Sequence, residues 1–275
     1  MGLVKIGQIC AFGPAKQQGI FEMTVRLFAM TCGWLTMPME MFLEGENGEI
    51  RLPVPCYLID HPKGQALFDS GLHADLQNPK DRRAEIITKH FKPEFKPGEE
   101  LSARLERCDI DVDKVRYLIN SHLHFDHAGG NYQVKNAELV VQKREWEAGH
   151  EPDLMKANGF ALADYDHGHD LKLINGEHDL FGDGSVICIP TYGHTPGHQS
   201  LKVRLSGGDV LLAGDACYLR QTLENLHLPK VVHSRTEMID SLKQIQFLQK
   251  NGTRIFFGHD PEFWDSLPKA PAEIT

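Results

Sequence analysis

The chain has 275 residues, of which 41% are hydrophobic and 24% charged, proportions typical of a globular protein with a sizeable core. Its formal net charge of −9 argues against a nucleic-acid-binding protein, which would need a basic surface. No apolar run approaches the ~20 residues that a membrane span requires, so we expect no membrane partner. The N-terminal residues resemble no secretory signal and the six cysteines form no CxxC pair, so we predict a cytoplasmic protein with reduced thiols.

The first hundred residues predict an extension, a pair of strands and a long polar segment. Residues 1–23 form the predicted extension, and a homodimer face is predicted from four of its apolar residues, Ile9, Phe12, Ile20 and Phe21. Residues 45–53 indicate a hairpin turn into a strand at 55–60, with 64–71 as the partner strand. Residues 72–100 carry prolines around a short helical stretch, and we interpret them either as a lid over a site or as a surface excursion.

The rest of the chain alternates strand-like and helical runs. A helix is predicted at 234–250, where Ser234 and Glu237 form a capping box. Six runs rich in β-branched residues predict strands at 115–120, 138–142, 185–191, 200–205, 209–215 and 254–258. Because no linker or low-complexity tract interrupts the sequence, residues 1–275 are predicted to form a single domain of mixed α and β structure.

Residue types that bind metals collect at the ends of four of these predicted strands. The segment SHLHFDHAGG, residues 121–130, follows one strand and supplies four of them, and three other strand ends supply one each. The candidates are His122, His124, Asp126, His127, His194, Asp215 and His259. Because functional sites collect at the carboxyl ends of strands in layered α/β folds, we expect these side chains to converge. The scattered histidines, including His233, are interpreted as surface or core residues.

Seven candidates exceed the three protein ligands that one catalytic zinc needs. His122 and His124 lie two residues apart on an extended segment and can bind one ion, while Asp126 and His127 follow in a turn and can face another. The set fits two divalent ions ~3.5–4 Å apart, bridged by a carboxylate and a water. Imidazole and carboxylate donors suit zinc, and also iron, cobalt or manganese.

The pattern HxHxDH, followed by a later histidine, a strand-end aspartate and GHD, resembles the metallo-β-lactamase superfamily. Within it, SHLHFDHAGGN, HTPGHQSL, D-A-x-Y at 215–218 and IFFGHD resemble the N-acyl homoserine lactonases, which are quorum-quenching hydrolases. The resemblance covers roughly residues 24–265 and implies an α/β (α+β) fold, the four-layer αβ/βα sandwich. It also implies two metal sites that Asp215 bridges, one formed by His122, His124 and His194, the other by Asp126, His127 and His259.

The reaction that this resemblance implies is opening of a lactone ring by attack of a metal-bridging hydroxide on the ester carbonyl. In the lactonases the tyrosine at the position of Tyr218 points into the site, where its hydroxyl can bond the carbonyl oxygen. Asp126 or Asp215 can then pass a proton to the leaving alkoxide. Phe125 is expected to face an apolar channel for the acyl tail. The Met-rich run 30–42 either lines that channel or packs in the core, which we favour.

Other functions remain open at this point. Hydroxyacylglutathione hydrolases share HxHxDH but commonly carry a basic patch near the C-terminus, where FWDSLPKAPAEIT has one lysine. A lactonase for a pyridoxal-derived lactone would use the same metals with a tighter, polar pocket. A non-catalytic metal-binding protein is the alternative outside enzymes. Structural zinc sites are usually closed, four-coordinate and often cysteine-rich, unlike this cysteine-free set of seven.

Overall fold

The computed structural model describes residues 24–89 and 91–275. The predicted extension at 1–23, with all four residues of the predicted dimer face, lies outside the described residues, as does His90. The homodimer therefore stays a prediction. Within the described ranges, no helix combines the length and apolar composition that crossing a bilayer demands.

Seven strands form the larger sheet, in the order β4-β1-β2-β3-β5-β6-β7. Strands β1 to β4 pair antiparallel, whereas β3, β5, β6 and β7 run parallel to one another, so these four end at the same edge. Their bounds are β1 Arg26–Pro38, β2 Glu49–His61, β3 Gly64–Phe68, β4 Lys92–Glu94, β5 Tyr117–Ile119, β6 Glu138–Gln142 and β7 Leu171–Ile174.

The smaller sheet has five strands in the order β12-β11-β10-β9-β8. β11 and β12 are parallel, and β10 pairs antiparallel with both β9 and β11. Consequently β9, β11 and β12 all end at one edge. The strands are β8 His178–Asp179, β9 Val186–Pro190, β10 Gln199–Leu205, β11 Gly208–Leu212 and β12 Arg254–Phe256.

Short helices connect the strands in the described ranges, and α8 is the longest of them. Its N-cap is Ser234, whose hydroxyl oxygen accepts a hydrogen bond from the Glu237 backbone N–H at 3.3 Å, which is one half of the predicted capping box. The other half is missing, because the Ser234 N–H donates to the Gly193 carbonyl and the Glu237 carboxylate pairs with Arg144. The helices are α1 Arg82–Ile87, α2 Leu101–Glu106, α3 Phe125–Ala128, α4 Lys143–Ala148, α5 Pro152–Asn158, α6 Leu162–Tyr165, α7 Arg220–Asn225, α8 Arg235–Lys250 and α9 Pro261–Ser266.

The two sheets pack face to face. Ile59 of β2 and Val140 of β6 belong to the same buried cluster as Val203 of β10 and Phe256 of β12. The preceding residue of β2, Leu58, points to the opposite face of its sheet, since side chains alternate along a strand. Full burial of an aliphatic side chain of this kind stabilises the fold by ~1.5–3 kcal/mol.

Helices cover the outer faces of both sheets. Leu101 and Leu105 of α2 pack on the larger sheet, and Met238 and Leu242 of α8 pack with Leu211 of the smaller one. The layers are therefore helix, sheet, sheet and helix, which confirms the predicted four-layer sandwich.

Three local expectations change. The strand predicted at 55–60 begins earlier, at Glu49, so residues 49–53 of the predicted turn belong to β2. The predicted strand 209–215 ends at Leu212, and Asp215 lies in a single 3-10 turn at Gly214–Ala216, where Gly214 has φ +55°. In the 72–100 segment, β4 is a short edge strand that pairs with β1 and is held by the Arg51–Glu94 ion pair, with N–O distances of 2.8 and 3.0 Å.

Candidate metal centre and active site

Strand ends from both sheets meet at this site. In the larger sheet, β5 leads into the segment that carries His122, His124, Asp126 and His127. In the smaller sheet, the loops after β9, β11 and β12 carry the remaining three predicted donors. The backbone N–H of Gln199 donates to the Ser121 carbonyl at 2.8 Å and joins the sheets beside the site.

The first group of donors consists of His122, His124 and His194. The Nε2 atom of His122 lies 2.9 Å from Nδ1 of His124, and Nε2 of His194 lies 3.2 and 3.1 Å from those two atoms. Three ring nitrogens therefore face one another at close range.

The second group consists of Asp126, His127 and His259. The Nε2 atoms of the two histidines lie 3.3 Å apart, and the Asp126 carboxylate lies 3.7 and 3.8 Å from them. Asp126 and His127 are neighbours on α3, which turns them toward the loop after β12.

Asp215 lies between the two groups. Its Oδ2 is 3.3 Å from Nε2 of His194 and 3.7 Å from that of His122, while Oδ1 is 3.0 Å from Nε2 of His259 and 3.2 Å from that of His127. One carboxylate oxygen thus faces each group, as expected of a bridging ligand.

Hydrogen bonds on the far side of each ring fix which nitrogen points inward. His124 donates from Nε2 to the Asn158 carbonyl at 2.6 Å, and His259 donates from Nδ1 to the Pro53 carbonyl at 2.8 Å. Since a carbonyl only accepts, the inward nitrogen of a neutral ring has no hydrogen and carries a lone pair.

The same holds for His122 and His127. His127 donates from Nδ1 to the Asp69 carboxylate at 2.8 Å. The Ser121 hydroxyl donates to Asp69 at 2.8 Å, so the His122 Nδ1–H, 2.9 Å from the hydroxyl oxygen, donates to Ser121.

These donors fit divalent metal ions. The ligand atoms of each group lie within 4.8 Å of one another: His122, His124, His194 and Asp215 in one, Asp126, His127 and His259 in the other. When the facing rings are neutral, the buried Asp215 Oδ1 has no hydrogen-bond partner, which is unfavourable for a carboxylate unless a metal ion, or a proton on His127 or His259, lies beside it. The structure thus brings together all seven sequence-predicted donors.

The electrostatics differ between the groups. Burial lowers the pKa of His122 and His194 well below 6.5, so these rings are neutral and ready to bind a cation. Burial also disfavours the charged form of His127. The negative charges of Asp215, Asp126 and Asp69 have the larger effect, however, and raise the pKa of His127 well above 6.5. Burial likewise disfavours the charged Asp215 carboxylate, but His127 and His259 hold its pKa well below the usual range.

If each donor group holds one metal ion, acidification is expected to release the two ions in sequence. The pKa of His259, like that of His127, is raised, because Asp215 outweighs burial. In the metal-free protein, the protonated forms of His127 and His259 stabilise the fold below about pH 6.5. This stabilisation is lost as the pH rises through the raised pKa values of the two histidines. Metal must displace these protons, so its affinity for the second group falls first as the pH is lowered.

Elemental analysis after dialysis across a pH series should therefore show a plateau at about one metal per chain. His259→Ala, which lacks part of the second group, should start near one metal and show no second step. Simultaneous release of both metals from the wild type would contradict this order.

Asp69 and His198 are functional residues that the sequence reasoning missed. Asp69 follows β3 with φ 60° and receives hydrogen bonds from His127 and from the Ser121 backbone N–H at 2.7 Å. His198 is fully buried, and its Nε2 accepts the Asp215 backbone N–H at 3.0 Å. Asp69 could have been found from the sequence, because it follows β3 in the segment FDSG at 68–71. Since β3 and β5 are parallel neighbours, they end at the same edge of the sheet.

The Asp69→Asn variant is expected to weaken metal binding ~10–100-fold, the usual effect of losing a carboxylate that orients a ligand histidine. The amide can still accept one hydrogen bond, but it no longer carries the charge that favours the His127 tautomer. Competition with a chelator measures the affinity. The exposed Asp240→Asn variant serves as control, and unchanged affinity in Asp69→Asn would exclude this role for Asp69.

Tyr218 lies between the donor groups. Its hydroxyl is 2.7 Å from Nδ1 of His194, and its ring stacks on His259 with centroids 6.0 Å apart and meets Phe42 edge-on at 5.0 Å. Burial, together with Asp215 and Asp126, raises its pKa well above 10, so the phenol keeps its proton.

A cavity of about 540 Å³ opens over the two groups. Phe125 lines it and contacts Phe91 with ring centroids 5.3 Å apart, so the 72–100 segment contributes at least one wall residue. Met37 and Met41 of the Met-rich run also line it, whereas Met30 packs in the core. The other lining residues include Lys156, Asn158, Val231, Val232 and His233, a residue that the sequence placed on the surface or in the core.

Comparison with known proteins agrees with this geometry. The family model of the metallo-β-lactamase superfamily matches residues 50–259. The N-acyl homoserine lactonase AttM of Azorhizobium caulinodans is 31% identical over 256 residues, covering 90% of this chain and 97% of that protein. The N-acyl homoserine lactonase AiiA of Bacillus thuringiensis subsp. kurstaki is 32% identical over 217 residues, covering 78% and 83%.

Solved structures give the same answer. An N-acyl homoserine lactone hydrolase with N-hexanoyl-L-homoserine bound at its catalytic metal centre has a TM-score of 0.81 and 28% identity, covering 91% of this chain and 99% of that chain. A mutant of B. thuringiensis AiiA with N-decanoyl-L-homoserine at its active site has a TM-score of 0.80 and 27% identity, with the same coverage. The chain therefore belongs to the metallo-β-lactamase superfamily, as a metal-dependent hydrolase whose relatives include N-acyl homoserine lactonases.

Proposed function

We propose that this protein hydrolyses the lactone ring of N-acyl homoserine lactones. The observation that carries the proposal is the apolar wall beside the two donor groups: an acyl tail fits the wall while the ring ester meets the donors. Relatives named N-acyl homoserine lactonases, at about 30% identity over most of the chain, support it.

One cation would be held by His122, His124 and His194, and the other by Asp126, His127 and His259. Asp215 would bind both cations. Zinc suits these donors, as do iron, cobalt and manganese. Two bound cations supply an activated water near neutral pH and positive charge beside the ester carbonyl. The protein fixes each ligand ring in the tautomer whose inward-facing nitrogen carries a lone pair, as described above.

Tyr218 would donate its phenolic hydrogen to the carbonyl oxygen, where negative charge develops during attack. Because His194 Nδ1–H can donate to the phenol oxygen, the phenol hydrogen is free to point into the cavity. The raised pKa keeps that hydrogen in place at neutral pH.

Asp126 is our choice for the group that passes a proton to the leaving alkoxide. Both residues line the cavity, but both Asp215 oxygens face imidazoles at 3.0 to 3.7 Å, whereas Asp126 makes longer contacts of 3.7 and 3.8 Å. Asp126 therefore has more freedom to hold a proton next to the substrate.

The substrate preference is expected to follow the apolar wall of the cavity. Each methylene that the tail buries against Phe125, Met37 or Met41 should contribute about 0.8 kcal/mol, or roughly a fourfold change in kcat/KM. A lactone series with progressively shorter tails should therefore lose kcat/KM stepwise. Phe125→Ala should flatten this dependence while the metal content stays the same.

A substrate panel tests the function itself. Metal-loaded protein is offered acyl homoserine lactones, a pyridoxal-derived lactone, hydroxyacyl thioesters of glutathione and phosphotriesters, with proton NMR to identify a ring-opened hydroxy acid. We expect acyl homoserine lactones to have the highest kcat/KM. Faster hydrolysis of the glutathione thioesters, or no turnover of any acyl homoserine lactone, would reject the proposal.

A further inference from the structure

Glu145 is a fully buried carboxylate next to the metal centre whose role the mechanism above leaves unexplained. It lies in the first turn of α4, directly after β6. One of its oxygens, Oε1, accepts the Leu123 backbone N–H at 3.2 Å, and the other, Oε2, accepts the Gly197 backbone N–H at 2.6 Å. Its two oxygens therefore hold two different loops.

Glu145 bonds both loops next to ligands of the first donor group, whereas Asp126 and His127, farther along the first loop, lie on α3. Leu123 lies between His122 and His124, and Gly197 lies three residues after His194. All three histidines of the first group are thus on segments that a single carboxylate joins.

The second loop packs directly on the backbone of α4. A Cβ added at Gly197 would lie 2.3 Å from the Glu145 nitrogen, so no larger residue fits without moving the loop. The preceding residue of the helix, Arg144, forms a two-pronged ion pair with Glu237 of α8 at 2.8 and 3.0 Å. Glu145 therefore projects from a helix that is itself anchored.

The second donor group is held by other contacts. The His127 carbonyl accepts the Ser70 backbone N–H at 2.8 Å, and its ring is bonded to Asp69. His259 is held by the Pro53 carbonyl. None of these contacts involves Glu145.

We propose that Glu145 is a positioning residue that sets the spacing of the first donor group, so that it governs the affinity of one metal and not of the other. This rests on the assignment of the two groups under Proposed function. The side chain touches neither metal nor substrate and acts through the backbone of Leu123 and Gly197.

The test is a calorimetric titration of metal-free protein with zinc, comparing wild type, Glu145→Gln and the control Glu147→Gln. Glu147 is on the same helix, but its side chain is 64% exposed. The glutamine amide at 145 keeps one acceptor and turns an NH2 group against a backbone N–H donor. We expect one of two binding steps to weaken ~10–100-fold, as for other groups that orient ligands. The other step, and both steps of Glu147→Gln, should match the wild type.

Gly197→Ala provides an independent second variant, because it displaces the same loop without changing the carboxylate. It should weaken the same step. Equal weakening of both binding steps, or no weakening in Glu145→Gln, would overturn the proposal. A merely structural role would lower the melting temperature of the metal-free protein without weakening one binding step more than the other. If the wild type shows only one binding step, the two-metal assignment fails. The affinity of Glu145→Gln at that step, compared with the wild type, still decides whether Glu145 positions metal ligands.

Discussion

The Asp215→Asn variant is expected to lose tight metal binding and nearly all hydrolytic activity. Asp215 is the one donor that faces both groups, with Oδ2 toward His122 and His194 and Oδ1 toward His127 and His259. Loss of a group that merely orients a ligand costs ~10–100-fold in affinity, so loss of a shared ligand should exceed ~100-fold for at least one metal.

Metal content by elemental analysis and turnover of the best lactone in the panel measure the two effects. We expect activity to fall by more than about 1000-fold, because an amide neither carries the charge nor bridges two cations. Circular dichroism should show an unchanged fold, and the exposed Asp240→Asn variant should retain both metals. An Asp215→Asn protein with two tightly bound metals would contradict the bridging role.

The Tyr218→Phe variant is expected to keep its metals and lose ~10²–10³-fold in kcat, the usual cost of removing one donor to a developing oxyanion. Phenylalanine preserves the ring contacts with His259 and Phe42 and removes only the hydroxyl. The effect should fall on kcat more than on KM, since charge on the carbonyl oxygen develops during attack.

Tyr132→Phe is the matched control, because Tyr132 packs against His73 away from the residues that line the cavity. It should retain wild-type kinetics. Loss of metal from Tyr218→Phe would show instead that the hydroxyl serves mainly to orient His194, to which it is hydrogen-bonded.

The positions of all seven donors were predictable from the sequence because each one follows a strand. Parallel strands end at a common edge, and the spacing of His122, His124, Asp126 and His127 puts four donors within one short segment. The boundary of β11 was less predictable, because Gly214 turns the chain before Asp215 is reached.

The residues that support these donors were not predictable in the same way. Glu145 and His198 act through hydrogen bonds to partners that are distant in sequence, so no local period or spacing marks them. Asp69 can be placed at the site because it follows β3, but its pairing with His127 is visible only in the fold. His198 occurs in the quoted run HTPGHQSL, yet only the fold shows that its ring accepts the Asp215 backbone N–H.

The cavity wall was predictable only in part. Phe125 is next to the candidate ligand His124 in the chain, and the structure places it in the lining of the cavity, while its contact with an acyl tail stays a prediction. The Met-rich run has both of its anticipated roles, with Met30 in the core and Met37 and Met41 at the cavity. Whether the 72–100 segment moves as a lid stays a prediction.

Part of the cavity wall comes from segments that carry no candidate metal ligand, although five of the seven donors and Phe125 also line the cavity. Met37, Met41, Phe91 and Val232 carry no metal-binding group, and they come from regions apart from the strand ends that do. If the protein hydrolyses acyl lactones as proposed, substitutions at these four positions are expected to change which tails are accepted and to leave the candidate ligands in place. Substrate preference and metal content are therefore expected to vary independently of each other in variants at these positions.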